Sequence, residues 1–73
     1  MIPTAPQAVA DHLAMTVAEV KAARRTPTSY FVAALFDIGG RTYCSPRRGQ
    51  MPPRSLAWEI VGSYGGRPIF RAL

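Results

Sequence analysis

The stretch Ala8–Arg25, "AVADHLAMTVAEVKAARR", decides how the fold begins. Its apolar residues Val9, Leu13, Met15, Val17 and Val20, padded with alanine, follow helical spacing rather than the alternation of a strand. Within it, "TVAE" reads as a capping box: the Thr16 hydroxyl accepts from the backbone N–H of Glu19, and the Glu19 carboxylate reaches back. A capped start in mid-stretch splits the run into two short helices, the second opening at Thr16. Lys21, Arg24 and Arg25 then fall in its last turns, where cations complement the helix dipole, and Pro27 in "RTPTS" stops it.

Upstream, "MIPTAP" holds Pro3 and Pro6 and is expected to be a flexible arm over residues 1–6, with Pro6 suited to a first helical turn. Downstream, "SYFVAALFDI" from Ser29 favours a strand, and Gly39-Gly40 supplies the positive backbone angles of a hairpin turn before "RTYCS". Apolar residues lie on both faces of that run, broken only by Asp37. One face is therefore expected to pack on the helices and the other on the C-terminal segment. Residues 46–55, "PRRGQMPPRS", combine three prolines, a glycine and three arginines and read as an extended basic loop.

The last segment, "LAWEIVGSYGGRPIFRAL", is open to two readings. Ser55 could cap a short helix over Leu56–Val61, or Trp58 and Ile60 could face inward from a strand. A strand-turn-strand with Gly65-Gly66 at the turn is the reading adopted. "IGGRT" and "YGGRP" are then two hairpin tips of the same turn chemistry rather than a repeat. The fold class is α+β: two short N-terminal helices packed on one or two β-hairpins, in a single domain over residues 7–73.

At 73 residues such a chain buries only about 60% of its unfolded surface, leaving little room for a deep cleft. Cys44 is the sole cysteine, so no internal disulfide forms, and a cytoplasmic setting is expected. "MIPTAPQAVADH" fails as a signal peptide, and "YFVAALF" is too short to cross a bilayer, so no membrane association is expected. The net charge is +5, and all nine basic residues, eight of them arginine, lie from Lys21 onward. Arginine favours bidentate contacts to carboxylate or phosphate.

No catalytic constellation is present in the sequence. His12 is the sole histidine and the four carboxylates are scattered, which speaks against a metal site, and no cofactor is expected. His12 and Cys44 read as a helix-surface imidazole and a half-buried thiol at a strand end. Neither Gly-Gly pair has the context of a phosphate-binding P-loop. A non-enzyme is expected.

Residues 6–25, "PQAVADHLAMTVAEVKAARR", resemble the helix-turn-helix frame, with Val9, Ala10, Leu13, Val20 and Ala23 at its inward positions. Ala14 stands where that family commonly has glycine. The resemblance implies DNA contacts from Val17, Lys21 and Arg25, and a hairpin wing carrying Arg41 would make a winged repressor. The presumed recognition helix offers phosphate contacts but no Asn, Gln or Ser near its start to read bases.

The other reading is a protein-binding surface. Arg24, Arg25, Arg41, Arg47, Arg48 and Arg54, with Trp58 close to the loop and Tyr43 and Tyr64 accompanying it, are residue types that dominate interface hot spots. The charge, the lone cysteine and the order of helix pair, hairpin and arginine-proline loop resemble the small phage-encoded transcription regulators that bind bacterial RNA polymerase. That resemblance implies a monomer in the bacterial host cytoplasm that docks on the large polymerase subunits. It further implies displacement of the promoter-specificity factor during initiation, and antitermination.

Overall fold

In a computed structural model, residues 3–25 and 32–73 are described. Helix α1 spans Ala5–Leu13 and α2 spans Val17–Ala22. Among the described residues five strands follow: β1 (Arg24–Arg25), β2 (Leu35–Ile38), β3 (Arg41–Cys44), β4 (Trp58–Tyr64) and β5 (Arg67–Ala72). All neighbours pair antiparallel, in the order β1-β2-β3-β5-β4. The architecture is α+β, with both helices on one face of the sheet.

Each helix opens with a reciprocal box. At α2, Thr16 Oγ1 accepts from the Glu19 N–H at 3.2 Å, and Glu19 Oε1 accepts from the Thr16 N–H at 3.2 Å. At α1, Thr4 and Gln7 do the same, at 3.3 and 2.9 Å. Residues 3–6 are therefore not a free arm: Thr4 caps α1 and Pro6 is buried in its first turn. Ala14 closes α1 in the left-handed region, φ 55°, the backbone state for which glycine is common at this place.

Helix α2 stops at Ala22, earlier than its sequence suggests, and Arg24 and Arg25 belong to β1, opposite Phe36 and Leu35. A sheet edge claims their backbone before the helix can extend. The Pro27 stop and the start of the expected strand at Ser29–Phe31 lie outside the described residues; the paired part begins only at Leu35. Both Gly-Gly pairs are two-residue hairpin loops with positive φ throughout, closing Ile38 on Arg41 and Tyr64 on Arg67.

The core is Ala8, Val9, Ala10, Val20, Phe36, Tyr43 and Ile69, fringed by Leu13, Val17 and Val61. Val9, Ala10 and Val20 point inward as the helix spacing requires, while Leu13 and Ala23 are half-buried. Tyr43 is thus a core residue and not an interface aromatic. The C-terminal hairpin does not cover the second face of the first one. It joins edge to edge through β3 and β5, so both hairpins share one sheet. Ile60, a candidate inward residue, consequently lies on the face away from the helices and is 67% exposed.

Candidate partner-binding site

The Gly65-Gly66 turn starts β5 at Arg67 and sets that side chain against two other parts of the chain. Its Nε–H donates to the Ser45 carbonyl at 2.9 Å and its Nη1 to the Pro3 carbonyl at 2.8 Å. Ser45, fully buried, donates through Oγ to the Pro68 carbonyl at 2.8 Å. The start of β5, the end of β3 and the cap of α1 are thereby tied at one point.

Beside this knot the chain turns at Arg47–Gln50. The Gln50 N–H donates to the Arg47 carbonyl at 2.9 Å, and the Gln50 amide oxygen accepts from the Arg47 N–H at 3.2 Å. Gly49 takes φ 87°, a positive angle that suits glycine. The turn faces the β4–β5 loop and Pro3 across a cleft of about 950 Å³. An adjoining hollow runs from Thr4 to Arg24, Ala33 and Phe36, and the two share Thr4, Arg47, Gln50 and Arg67.

Among the described residues, every charged side chain lining these hollows is an arginine: Arg24, Arg47, Arg48 and Arg67. Burial pulls Arg67 below the ordinary guanidinium value, and the positive charge of Arg47 pulls it in the same direction. It nonetheless stays charged near neutrality.

The sequence-derived residues divide. Arg24, Arg47 and Arg48 converge here. Arg25 does not: its guanidinium clamps Asp37, with Nη2 to Oδ1 at 3.1 Å. Arg41 lies just past the first hairpin tip, and Arg54 is exposed in the loop before β4. Trp58 is half-buried and its indole N–H donates to the Pro53 carbonyl at 2.8 Å, pinning that loop. Val17 packs on the core fringe, and Lys21 is exposed on α2.

Sequence reasoning missed Arg67 and Gln50. Arg67 follows Gly-Gly as Arg41 does, and nothing local tells the two apart; the difference is the tertiary neighbours Pro3 and Ser45. The other ion pair among the described residues, Arg71–Glu59, is structural, with Nε to Oε1 at 3.0 Å. Glu59 raises the Arg71 pKa, and Tyr43 adds to that shift. Cys44 is buried outright rather than half-buried, and burial pushes its thiol up to about 11. Among the described residues no cluster of His, Cys, Asp and Glu could hold a metal.

Compared with family models, curated proteins and solved structures, the chain matches none. Among the described residues no helix is long and apolar enough to cross a membrane.

Proposed function

We propose that this protein is a non-enzymatic transcription regulator that binds bacterial RNA polymerase directly, inhibiting promoter-specific initiation by displacing the specificity factor and favouring read-through of terminators. The observation that carries this reading is the balance of charge. Of the four carboxylate side chains, Glu19 is taken up in a helix cap, Asp37 and Glu59 are taken up by Arg25 and Arg71, and Asp11 stays exposed on α1. Lys21, Arg24, Arg41, Arg48 and Arg54 are exposed with no ion pair among the described residues.

Such a surface fits a partner that presents carboxylates beside nucleic acid, as RNA polymerase does. Occupying a surface that another factor needs, with different affinity for different polymerase states, regulates without chemistry by the regulator. The winged DNA-reading arrangement draws less support. Its recognition helix would be only six residues long, with Val17 committed to packing and Arg25 to Asp37.

The test pairs a pull-down of purified polymerase without DNA with a gel-shift titration across salt. Retention of polymerase that falls at least tenfold in the Arg24→Gln/Arg47→Gln/Arg48→Gln variant supports the proposal. Absence of polymerase binding, together with duplex binding that survives competitor DNA, overturns it in favour of a repressor.

A further inference from the structure

Arg67 differs from Arg25 and Arg71 in what holds it. Those two are neutralised by Asp37 and Glu59, whereas the half-buried Arg67 is held by two backbone carbonyls. Carbonyls fix the guanidinium plane through Nε and Nη1 but cancel no charge, and neither bond uses Nη2. A second guanidinium, Arg47, stands near enough to be felt, and Arg48 lines the same cleft. A half-buried guanidinium such as Arg67, held by carbonyls and with no ion pair among the described residues, is stabilised when an anion joins it.

The walls suit an anion that brings a bulky substituent. Gly49 and Gly66 line the cleft with nothing within 4 Å of where a Cβ would stand, and glycine lets a ligand approach the backbone. Its volume of about 950 Å³ exceeds what one oxyanion needs and leaves room for an attached sugar and base. A rigid fork presented to a tetrahedral oxyanion is the arrangement in which arginine outperforms lysine.

We propose that the cleft between the Arg47–Gln50 turn and the β4–β5 loop binds the phosphate of a nucleotide, either a terminal phosphate or the phosphodiester of a single strand. Arg67 is the fixed fork, and Arg47 and Arg48 close on the remaining oxygens. The site does not rest on the polymerase reading, because it is tested on the isolated chain.

The experiment is an NMR titration of the isolated full chain at low salt with three probes: pyrophosphate, a trinucleotide with free 5′ and 3′ hydroxyls, and the same trinucleotide carrying a 5′-phosphate. Saturable shifts of the Arg67 Nε–H and of the Gly49, Gly65 and Gly66 amides are expected with at least one probe. A response to the unphosphorylated trinucleotide assigns the diester. A response confined to the other two assigns a terminal phosphate.

Arg47→Gln/Arg48→Gln is expected to weaken binding at least tenfold, and Arg41→Gln/Arg54→Gln, with the same loss of net charge, less than threefold. Arg67→Lys keeps the charge but loses the fork and should also weaken binding tenfold; if it fails to fold, the two double variants still decide. Equal losses from the two double variants, shifts scattered over the whole basic surface, or no response to any probe would overturn the proposal.

Discussion

The guanidinium of Arg67 donates to the carbonyl of Pro3, joining positions 64 residues apart, and Pro3 in turn lies against the Gly65 of the turn that introduces Arg67. A Cβ on Gly65 would stand 2.8 Å from Pro3 Cγ, whereas one on Gly66 would meet nothing within 4 Å. Both glycines have positive φ, so both alanine variants carry a conformational cost of about 1 kcal/mol, and Gly65→Ala adds a clash. Arg67→Ala removes two charge-assisted bonds at a partly exposed site and should cost about 1–3 kcal/mol. In a double-mutant cycle by urea unfolding, Gly65→Ala should cost less once Arg67 is gone, because Pro3 is then free to move aside. Strict additivity, or equal costs for Gly65→Ala and Gly66→Ala, would contradict this account of the junction.

Ala14 is a non-glycine residue in the left-handed region, and its side chain is exposed. Ala14→Gly relieves strain of about 1–2 kcal/mol, part of which is lost to the greater freedom of glycine in the unfolded chain. A net gain of about 0.5–1 kcal/mol is expected, read as a higher urea midpoint at unchanged slope. Ala18→Gly, on the exposed side of α2, is the counterpart and should lower stability by about 1 kcal/mol. An Ala14→Gly variant no more stable than the parent would mean that the turn stores no strain.

These two cases also mark how far the sequence could be read. Ala14 was visible as a position that wants glycine, and the Thr16–Glu19 box and both Gly-Gly turns were visible, because each depends on residues within one turn of chain. The Thr4–Gln7 box has the same spacing as its partner, but the two prolines around it suggested an arm and hid it. The fate of Arg24 and Arg25 was hidden for a different reason: their local signal is a helix end, and only pairing with Phe36 and Leu35 makes them a strand. Of the candidate site, the loop arginines were legible from composition. Arg67 was not, because its role comes from contacts 22 and 64 residues away.

Acid should weaken the fold through Asp37 and Glu19. The Arg25 guanidinium, and then the Thr42 hydroxyl, hold Asp37 below the ordinary carboxylate value; the Thr16 side chain and backbone do the same for Glu19. For a depressed carboxylate the stabilisation is complete above the unfolded value, about pH 4. It is lost as pH falls toward the folded value, because the unfolded chain takes up the proton first. Urea midpoints should therefore drop below about pH 4. Asp37→Asn should start lower at neutral pH and show a shallower acid limb, approaching the parent in strong acid. Parallel pH profiles for the two proteins would exclude Asp37 as a source of the acid limb.

Cys44 governs the opposite limb. Burial raises its thiol to about 11, with the positive charge of Arg67 pulling weakly the other way. The unfolded thiol ionises first as pH rises past about 8.5–9, so in that window the folded state binds more protons and stability falls with pH. The loss by pH 11 is on the order of 1–3 kcal/mol, taking about 1.4 kcal/mol per pKa unit. The informative quantity is the difference between the parent and Cys44→Ala, which should grow less favourable to the parent as pH rises. The same burial keeps the thiolate scarce and out of reach at neutral pH, and an uncharged thiol reagent should label the folded chain only as fast as it opens. Labelling that tracks urea-induced unfolding would fit a thiol sealed at the β3–β5 seam, whereas labelling of the native protein at the rate of a free cysteine would require that seam to be open.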